Sequence, residues 1–247
     1  MKRLGLSIAA LLFATAFSSA AIASTIVVPN SFTSVIGNAP DTNDEATNVD
    51  FRDQQIIGPG QFVSTGGPIM ISGLALRSYP GVAPIFGPSL LTFNSLDIYL
   101  STSPKFPGTM STTYADNIGL DQTLVFSGPL TLSSPGCAGP APCPFDMFIP
   151  LSTPFRYNFT SGSLLIDLRI TGLTESDTGA LDGVSFNFPP GGTIATVAGP
   201  ISSATGEFDS SGDIFQITYT AAPEPASSML LLTGIAGLTA VGLRRRM

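Results

Sequence analysis

Apolar residues recur at every second position in short runs along the chain, and a period of two is typical of β-strands. Leu96, Ile98 and Leu100 alternate with polar neighbours, which places one face of the segment in a core and the other in water. The same pattern occurs at residues 69–76, 122–126, 145–151, 164–170, 184–188, 193–197 and 214–219. These runs predict about eight to ten antiparallel strands.

Clusters of glycine, proline and serine separate the runs and predict turns. They include residues 127–129 and the acidic group at 209–213, which we interpret as a hairpin turn joining Phe208 to Ile214. No interior segment sustains the apolar stripe of an amphipathic helix. The pattern therefore predicts an all-β ectodomain, a two-sheet antiparallel β-sandwich, with a jelly roll as the alternative.

The first residues have the pattern of a secretory signal peptide. Lys2 and Arg3 precede an apolar run at 4–17, and small residues stand at both recognition positions, Ala21 and Ala23. This pattern predicts a signal helix at 1–23, cleaved between Ala23 and Ser24. We expect the mature ectodomain to occupy residues 24–222.

The last residues predict a membrane span. Residues 226–243 contain no charged side chain, and a helix over them is about 27 Å long, enough to cross a hydrocarbon core. Arg244, Arg245 and Arg246 follow directly, and arginines next to a span stay on the cytoplasmic side. The chain before the span is therefore predicted to lie outside the cytoplasm.

Directly before the span stand Pro223, Glu224 and Pro225. This triplet, the glycine-containing span and the terminal arginine cluster together resemble the PEP-CTERM sorting signal of Gram-negative bacteria that make exopolysaccharide. The resemblance covers residues 223–247 and implies processing by an exosortase-type membrane enzyme. Residues 62–170 also look like the β-rich ectodomains that often precede such tails. An ordinary single-span anchor is the alternative.

Charge and composition restrict the partners of the exported part. Residues 24–222 hold five basic side chains against sixteen acidic ones. Nucleic acid is not expected as a partner, because phosphate binding needs clustered lysine and arginine. Attraction to cations, or to a polysaccharide bridged by cations, fits this composition better. Tyr79, Tyr99 and Tyr114 are candidate sugar-stacking aromatics, or ordinary rim residues.

Histidine is absent, which excludes the usual catalytic triads and histidine-ligated metal sites. The only cysteines, Cys137 and Cys143, bracket a turn-forming insert, and export would place them in an oxidising compartment. We therefore predict a disulfide between them.

Asp41, Asn43 and Glu45 place oxygen atoms at alternate positions, which suits calcium. The rest of a calcium loop is missing, since Ala46 stands where its glycine belongs and Arg52 where its bidentate glutamate belongs. A solvated acidic loop is the favoured interpretation, with calcium binding as the alternative. No other metal or cofactor is predicted.

Two functions from different classes follow from these patterns. The first is a non-enzymatic cell-surface or extracellular-matrix protein. It would be held transiently in the inner membrane by its tail, processed, and delivered to the envelope or to exopolysaccharide. The alternative is an anchored polysaccharide hydrolase or lyase, which would work through paired carboxylates and needs no histidine. No motif marks a particular catalytic pair.

Overall fold

The computed structural model describes residues 22–41, 50–80, 89–137, 141–175, 180–185 and 192–222. Within these ranges the chain forms strands joined by short turns and a single turn of α-helix, α1 (Tyr114–Asn117). The strands are β1 (Ser24–Val28), β2 (Ala39–Asp41), β3 (Phe51–Ile57), β4 (Ile69–Leu76), β5 (Ser89–Ser103), β6 (Thr123–Ser134), β7 (Met147–Tyr157), β8 (Ser163–Glu175), β9 (Leu181–Ser185), β10 (Ile194–Pro200), β11 (Glu207–Asp209), β12 (Ser211–Asp213) and β13 (Phe215–Ala221).

The strands form three sheets, and the pairs that join them are antiparallel. A four-stranded sheet has the order β1-β13-β4-β7, and a six-stranded sheet has the order β11-β10-β3-β8-β5-β6. A small sheet, β12-β9-β2, completes the described part. The prediction of an all-β antiparallel fold is confirmed. The described residues contain thirteen strands, more than predicted.

The two large sheets share one apolar core. Side chains of β4, such as Ile69 and Ile71, belong to the same buried cluster as Leu96 and Ile98 of β5. Sheets that pack face to face bury alternate residues of each strand, which is why the period of two was informative. The arrangement fits a β-sandwich.

The large sheets pair their strands in a nested order. The first strand, β1, pairs with the last, β13, and β3 pairs with β8. Inside these pairs, β4 pairs with β7 and β5 pairs with β6. Strands that are far apart in sequence are therefore neighbours, as in a long hairpin rolled up on itself.

A second, smaller core covers the outer face of the six-stranded sheet. Leu165 and Ile56 point away from the main core and pack against Met110 and Tyr114, which belong to the segment between β5 and β6. Tyr114 is buried, so its prediction as an exposed aromatic is wrong. Tyr79 and Tyr99 are half-buried.

Two predicted turns are wrong. Residues 127–129 lie inside β6, where the register with β5 shifts between Phe93 and Leu96. Pro129 is tolerated because β6 is an edge strand, on which a missing amide donor need not break a ladder. Residues 209–213 are not a hairpin turn, because β11 pairs with β10 while β12 pairs with β9 in a different sheet.

The predicted span at 226–243 lies outside the described residues. So does the predicted signal helix at 1–23, except for Ile22 and Ala23, which are described and form no helix. In the ranges that the structure describes, no helix is both long enough and apolar enough to cross a membrane.

Candidate functional site

A buried ion pair joins the end of β4 to the small sheet. Arg77 directly follows β4, and its Nε donates a hydrogen bond to Oδ2 of Asp182, in β9, at 2.6 Å. Both side chains are almost fully shielded from solvent, at 1% and 0% exposure. The amide of Gly37 donates to Oδ1 of the same carboxylate at 2.8 Å. Gly37 has to be glycine here, since a Cβ would collide with Asp182 and with the backbone of Gly183.

The environment of Asp182 sets its charge. Burial raises the pKa of the Asp182 carboxyl, while the Arg77 guanidinium and the Gly37 amide act to lower it. The ionised carboxylate therefore depends on its arginine. A buried charge left without such a partner costs several kcal/mol, roughly 3–5 when one member of a pair is removed.

Arg77 is also held by backbone carbonyl groups. Its Nη2 donates to the carbonyl oxygens of Phe32, at 3.0 Å, and Val35, at 2.8 Å. The guanidinium carbon lies 4.7 Å from the ring centre of Phe145. Within the described residues, Nη1 makes no hydrogen bond, and Arg77 lines an open cleft. A rigidly held guanidinium therefore borders that cleft, with 1% of its side chain exposed.

This cleft, the Arg77 cleft, has a volume of about 610 Å³, within the range of small-ligand sites. It lies where β4 ends and β7 begins. Its lining consists of Thr25, Ile26, Val27, Asn30, Thr33, Ser64, Arg77, Pro142, Cys143, Pro144, Phe145 and Gln216.

Half of the described lining residues are polar and half are apolar. Arg77 is the only charged residue among them. Thr25, Ser64 and Gln216 show no side-chain hydrogen bond to the described part of the protein, so their polar atoms are free to contact a ligand. Pro144 and Phe145 contribute apolar surface on the opposite wall.

The predicted disulfide forms one wall of the Arg77 cleft. Cys137 and Cys143 are joined, with their Cα atoms 5.3 Å apart. Cys143 is buried, and the residues that follow it, Pro144 and Phe145, complete that wall. The crosslink therefore restricts the position of residues 135–137 and 141–146, which form no regular secondary structure.

A second charged cluster lies on the outer face of the six-stranded sheet. Asp167 accepts from Nε and Nη2 of Arg52 at 2.8 and 2.7 Å, and from Nη2 of Arg169 at 3.3 Å. The guanidinium of Arg52 stacks on Tyr114, and that of Arg169 stacks on Tyr99. These contacts attach the segment that carries α1 to the sheet, so we interpret the cluster as structural.

The predicted sorting residues lie outside the described ranges. These are Pro223, Glu224, Pro225, Arg244, Arg245 and Arg246. The predicted cleavage point is described, and β1 begins at Ser24, directly after Ala23.

The calcium candidates are only partly described. Asn43 and Glu45 lie outside the described ranges, and of Asp41 only the backbone is described, at the end of β2. Among the described side chains, no group of three or more cysteine, aspartate or glutamate residues could hold a metal ion. Calcium binding stays a prediction.

The sequence analysis missed the Arg77–Asp182 pair. The two residues are 105 positions apart, so no local motif joins them. The sequence does contain a signal at Arg77, because an arginine that directly follows an apolar strand needs a partner if it is buried, and residues 24–222 hold only five basic residues. Nothing in the sequence singles out Asp182 among the acidic residues.

In comparisons with known proteins, the chain matches no family model, no curated protein and no solved structure.

Proposed function

We propose that this is an exported, non-enzymatic cell-surface or extracellular-matrix protein, sorted and processed through its PEP-CTERM tail and associated with exopolysaccharide. The position of the folded domain in the chain carries this proposal. Its first strand begins at Ser24, directly after the predicted signal cleavage site. Its last strand ends at Ala221, two residues before Pro223. The domain therefore fills the interval between the two predicted processing segments.

The first and last strands also support tethering at one end. Ser24 is paired with Tyr219 in adjacent antiparallel strands, so the signal segment and the tail join the domain at the same end of one sheet. A domain attached in this way can be released by a cut at its tail without disturbing its core. The disulfide adds support, because such bonds persist in oxidising compartments outside the cytoplasm.

The nested strand order supports the jelly-roll alternative over a simple sandwich. In a jelly roll a long antiparallel ribbon is rolled into two sheets, which pairs the first strand with the last. Lectin domains are among the proteins built in this way, and this analogy at the level of the fold agrees with a role in binding polysaccharide.

The hydrolase alternative finds less support in the geometry. A glycosidase needs two carboxyl groups on either side of the bond that it cuts. No carboxylate is among the described residues that line the Arg77 cleft. The deeply buried carboxylates of Asp167 and Asp182 are both bound by arginine. The non-enzymatic function is therefore the one that we propose.

The sorting part is tested with two variants in a host that carries the processing enzyme. Replacing Pro223, Glu224 and Pro225 with alanine should leave membrane insertion intact, because the apolar run supplies the transfer free energy, and should block shortening of the protein. Replacing Arg244, Arg245 and Arg246 with glutamate should instead disturb the orientation of the span, because acidic residues contribute little to it.

The measurements are the size of the protein and its location in membrane, envelope and medium fractions. The unmodified chain is the control and should be shortened and reach the outer surface. Equal shortening and delivery of the triple-alanine variant would show that the triplet is not recognised, and the tail would then be a plain anchor.

A further inference from the structure

We propose that the Arg77 cleft binds a neutral saccharide unit. The inference deepens the proposed function and rests on it, because an exopolysaccharide would supply the ligand. It is carried by the chemistry of the lining, by the location of the cleft and by the restraints on its walls.

The charges at the cleft favour a neutral ligand. The charge of Arg77 is already balanced by Asp182 at 2.6 Å, and none of the other described residues that line the cleft is charged. A charged ligand would lose its hydration without gaining a free counter-charge, which is costly. The net charge of −7 on the chain adds a general repulsion for anions.

The polar side chains match the hydroxyl groups of a sugar. A sugar hydroxyl both donates and accepts hydrogen bonds, and so do the hydroxyls of Thr25 and Ser64 and the amide of Gln216. Arg77 borders these groups, and its guanidinium is held by Asp182 and by two backbone carbonyl oxygens. Phe145 and Pro144 offer apolar surface to the C–H face of a sugar ring.

The location of the cleft leaves it accessible in a protein tethered by its tail. Its lining follows the length of β1, from Thr25, next to the end at which Ser24 pairs with Tyr219 and the tail leaves, to Asn30 beyond the other end of the strand. Arg77 and Phe145 lie at that other end, where β4 finishes and β7 begins. The cleft is open along this side of the sheet, so a polymer outside the cell can reach it.

Three restraints hold the walls of the cleft. The disulfide holds Cys143, and the buried ion pair holds Arg77. Asn30 is held by Gln61 through two hydrogen bonds. The backbone N–H of Asn30 donates to Oε1 of Gln61 at 2.6 Å, and Nδ2 of Asn30 donates to the backbone carbonyl oxygen of Gln61 at 2.8 Å. A binding site fixed in advance loses less entropy when the ligand binds.

The test uses the exported, processed protein and isothermal titration calorimetry. The probes are neutral oligosaccharides (gluco-, galacto- and manno-tetraoses and fragments of the host's own exopolysaccharide), with oligogalacturonate as the anionic probe and a proline-rich peptide as the protein-like probe. We expect at least one neutral probe to bind. The double variant T25V/S64A should bind it roughly thirtyfold more weakly, because it loses two hydrogen bonds, each worth about 1 kcal/mol, and about 1.4 kcal/mol corresponds to a factor of ten.

The matched control is T131V/S133A, which makes the same chemical changes at exposed positions of β6, outside the cleft. Equal melting temperatures of the two double variants would show that folding does not cause the difference. The proposal is overturned if no neutral probe binds, if the anionic or peptide probe binds instead, or if T25V/S64A binds like T131V/S133A. If the protein is sorted but binds no saccharide, the proposal for the Arg77 cleft fails and the proposed sorting function stands. If the protein binds saccharide but is not sorted, only the sorting function fails.

Discussion

At the scale of single residues, the Arg77–Asp182 pair is the contact most sensitive to substitution. Replacing Arg77 with methionine leaves a buried carboxylate without its cation, so we expect the free energy of unfolding to fall by roughly 3–5 kcal/mol. The double variant Arg77→Met, Asp182→Leu should recover much of this loss, because it removes both charges. Urea unfolding followed by circular dichroism measures both effects.

Arg156→Met is the control for that measurement, since Arg156 is an exposed arginine of β7 and a surface substitution changes stability by about 0.5 kcal/mol or less. If Arg77→Met costs no more than this control, the ion pair does not stabilise the fold.

Tyr157 makes stability depend on alkaline pH. Its side chain is fully buried, its hydroxyl donates to the carbonyl of Gly162 at 2.9 Å, and burial raises its pKa well above the usual value. Burial likewise raises the pKa of Tyr114 to about 12. The folded state favours the protonated hydroxyls of both tyrosines. Their contribution to the free energy of unfolding is therefore fully present below the unfolded pKa of about 10 and is lost as the pH rises above it.

We therefore expect the free energy of unfolding to decline above about pH 10, and Tyr157→Phe to decline less steeply. At pH 7 the same variant should be less stable by about 1 kcal/mol, because it lacks the hydrogen bond. Urea unfolding at several pH values tests this, and parallel curves for the two proteins would rule out a contribution from Tyr157.

At the scale of elements, the disulfide is the feature that the sequence predicted most directly. The mass of the exported protein should be lower than that of the reduced protein by the mass of the two thiol hydrogens, with negligible thiol labelling before reduction. Replacing Cys137 and Cys143 with serine should lower the free energy of unfolding by about 2 kcal/mol, because a short loop is no longer closed in the unfolded chain. Stoichiometric labelling of unreduced protein would contradict the bond.

The strands were predictable where one face is buried by neighbouring strands. The run at 69–76 coincides with β4, and Leu96, Ile98 and Leu100 lie buried in β5. Residues 209–213 were not predictable, because Gln55 fixes them from a distant strand. Its side chain donates to the carbonyl of Asp213 and accepts from the amide of the same residue, both at 2.9 Å. This contact between residues far apart in sequence leaves no local signal.

The candidate site was predictable only in part, for the same reason. The cysteines that hold one wall are six positions apart, and their spacing could be interpreted directly. Arg77, Ser64 and Gln216 come from segments spread over most of the domain, and only the nested strand order brings them together.

At the scale of the whole molecule, β13 should be indispensable. It pairs with both β1 and β4, so a chain that stops after Asp213 leaves β1 without a partner and opens the core. We expect that truncated chain to be digested rapidly in limited proteolysis, whereas a chain that stops after Ala222 should resist. Equal resistance of the two chains would show that the sheet closes without its last strand.

The interior position of β13 also determines when the domain can fold on the secretory route that we propose. On that route the chain would cross the membrane from its N-terminus, so β1 would emerge early, while the strand that lies between β1 and β4 would follow last. The four-stranded sheet cannot close on a partly transported chain, and pairing over such long sequence separations is slow in any case. We therefore expect the polypeptide to stay unfolded and able to pass through the translocation channel until Ala221 has crossed. The domain should fold only when the tail reaches the bilayer.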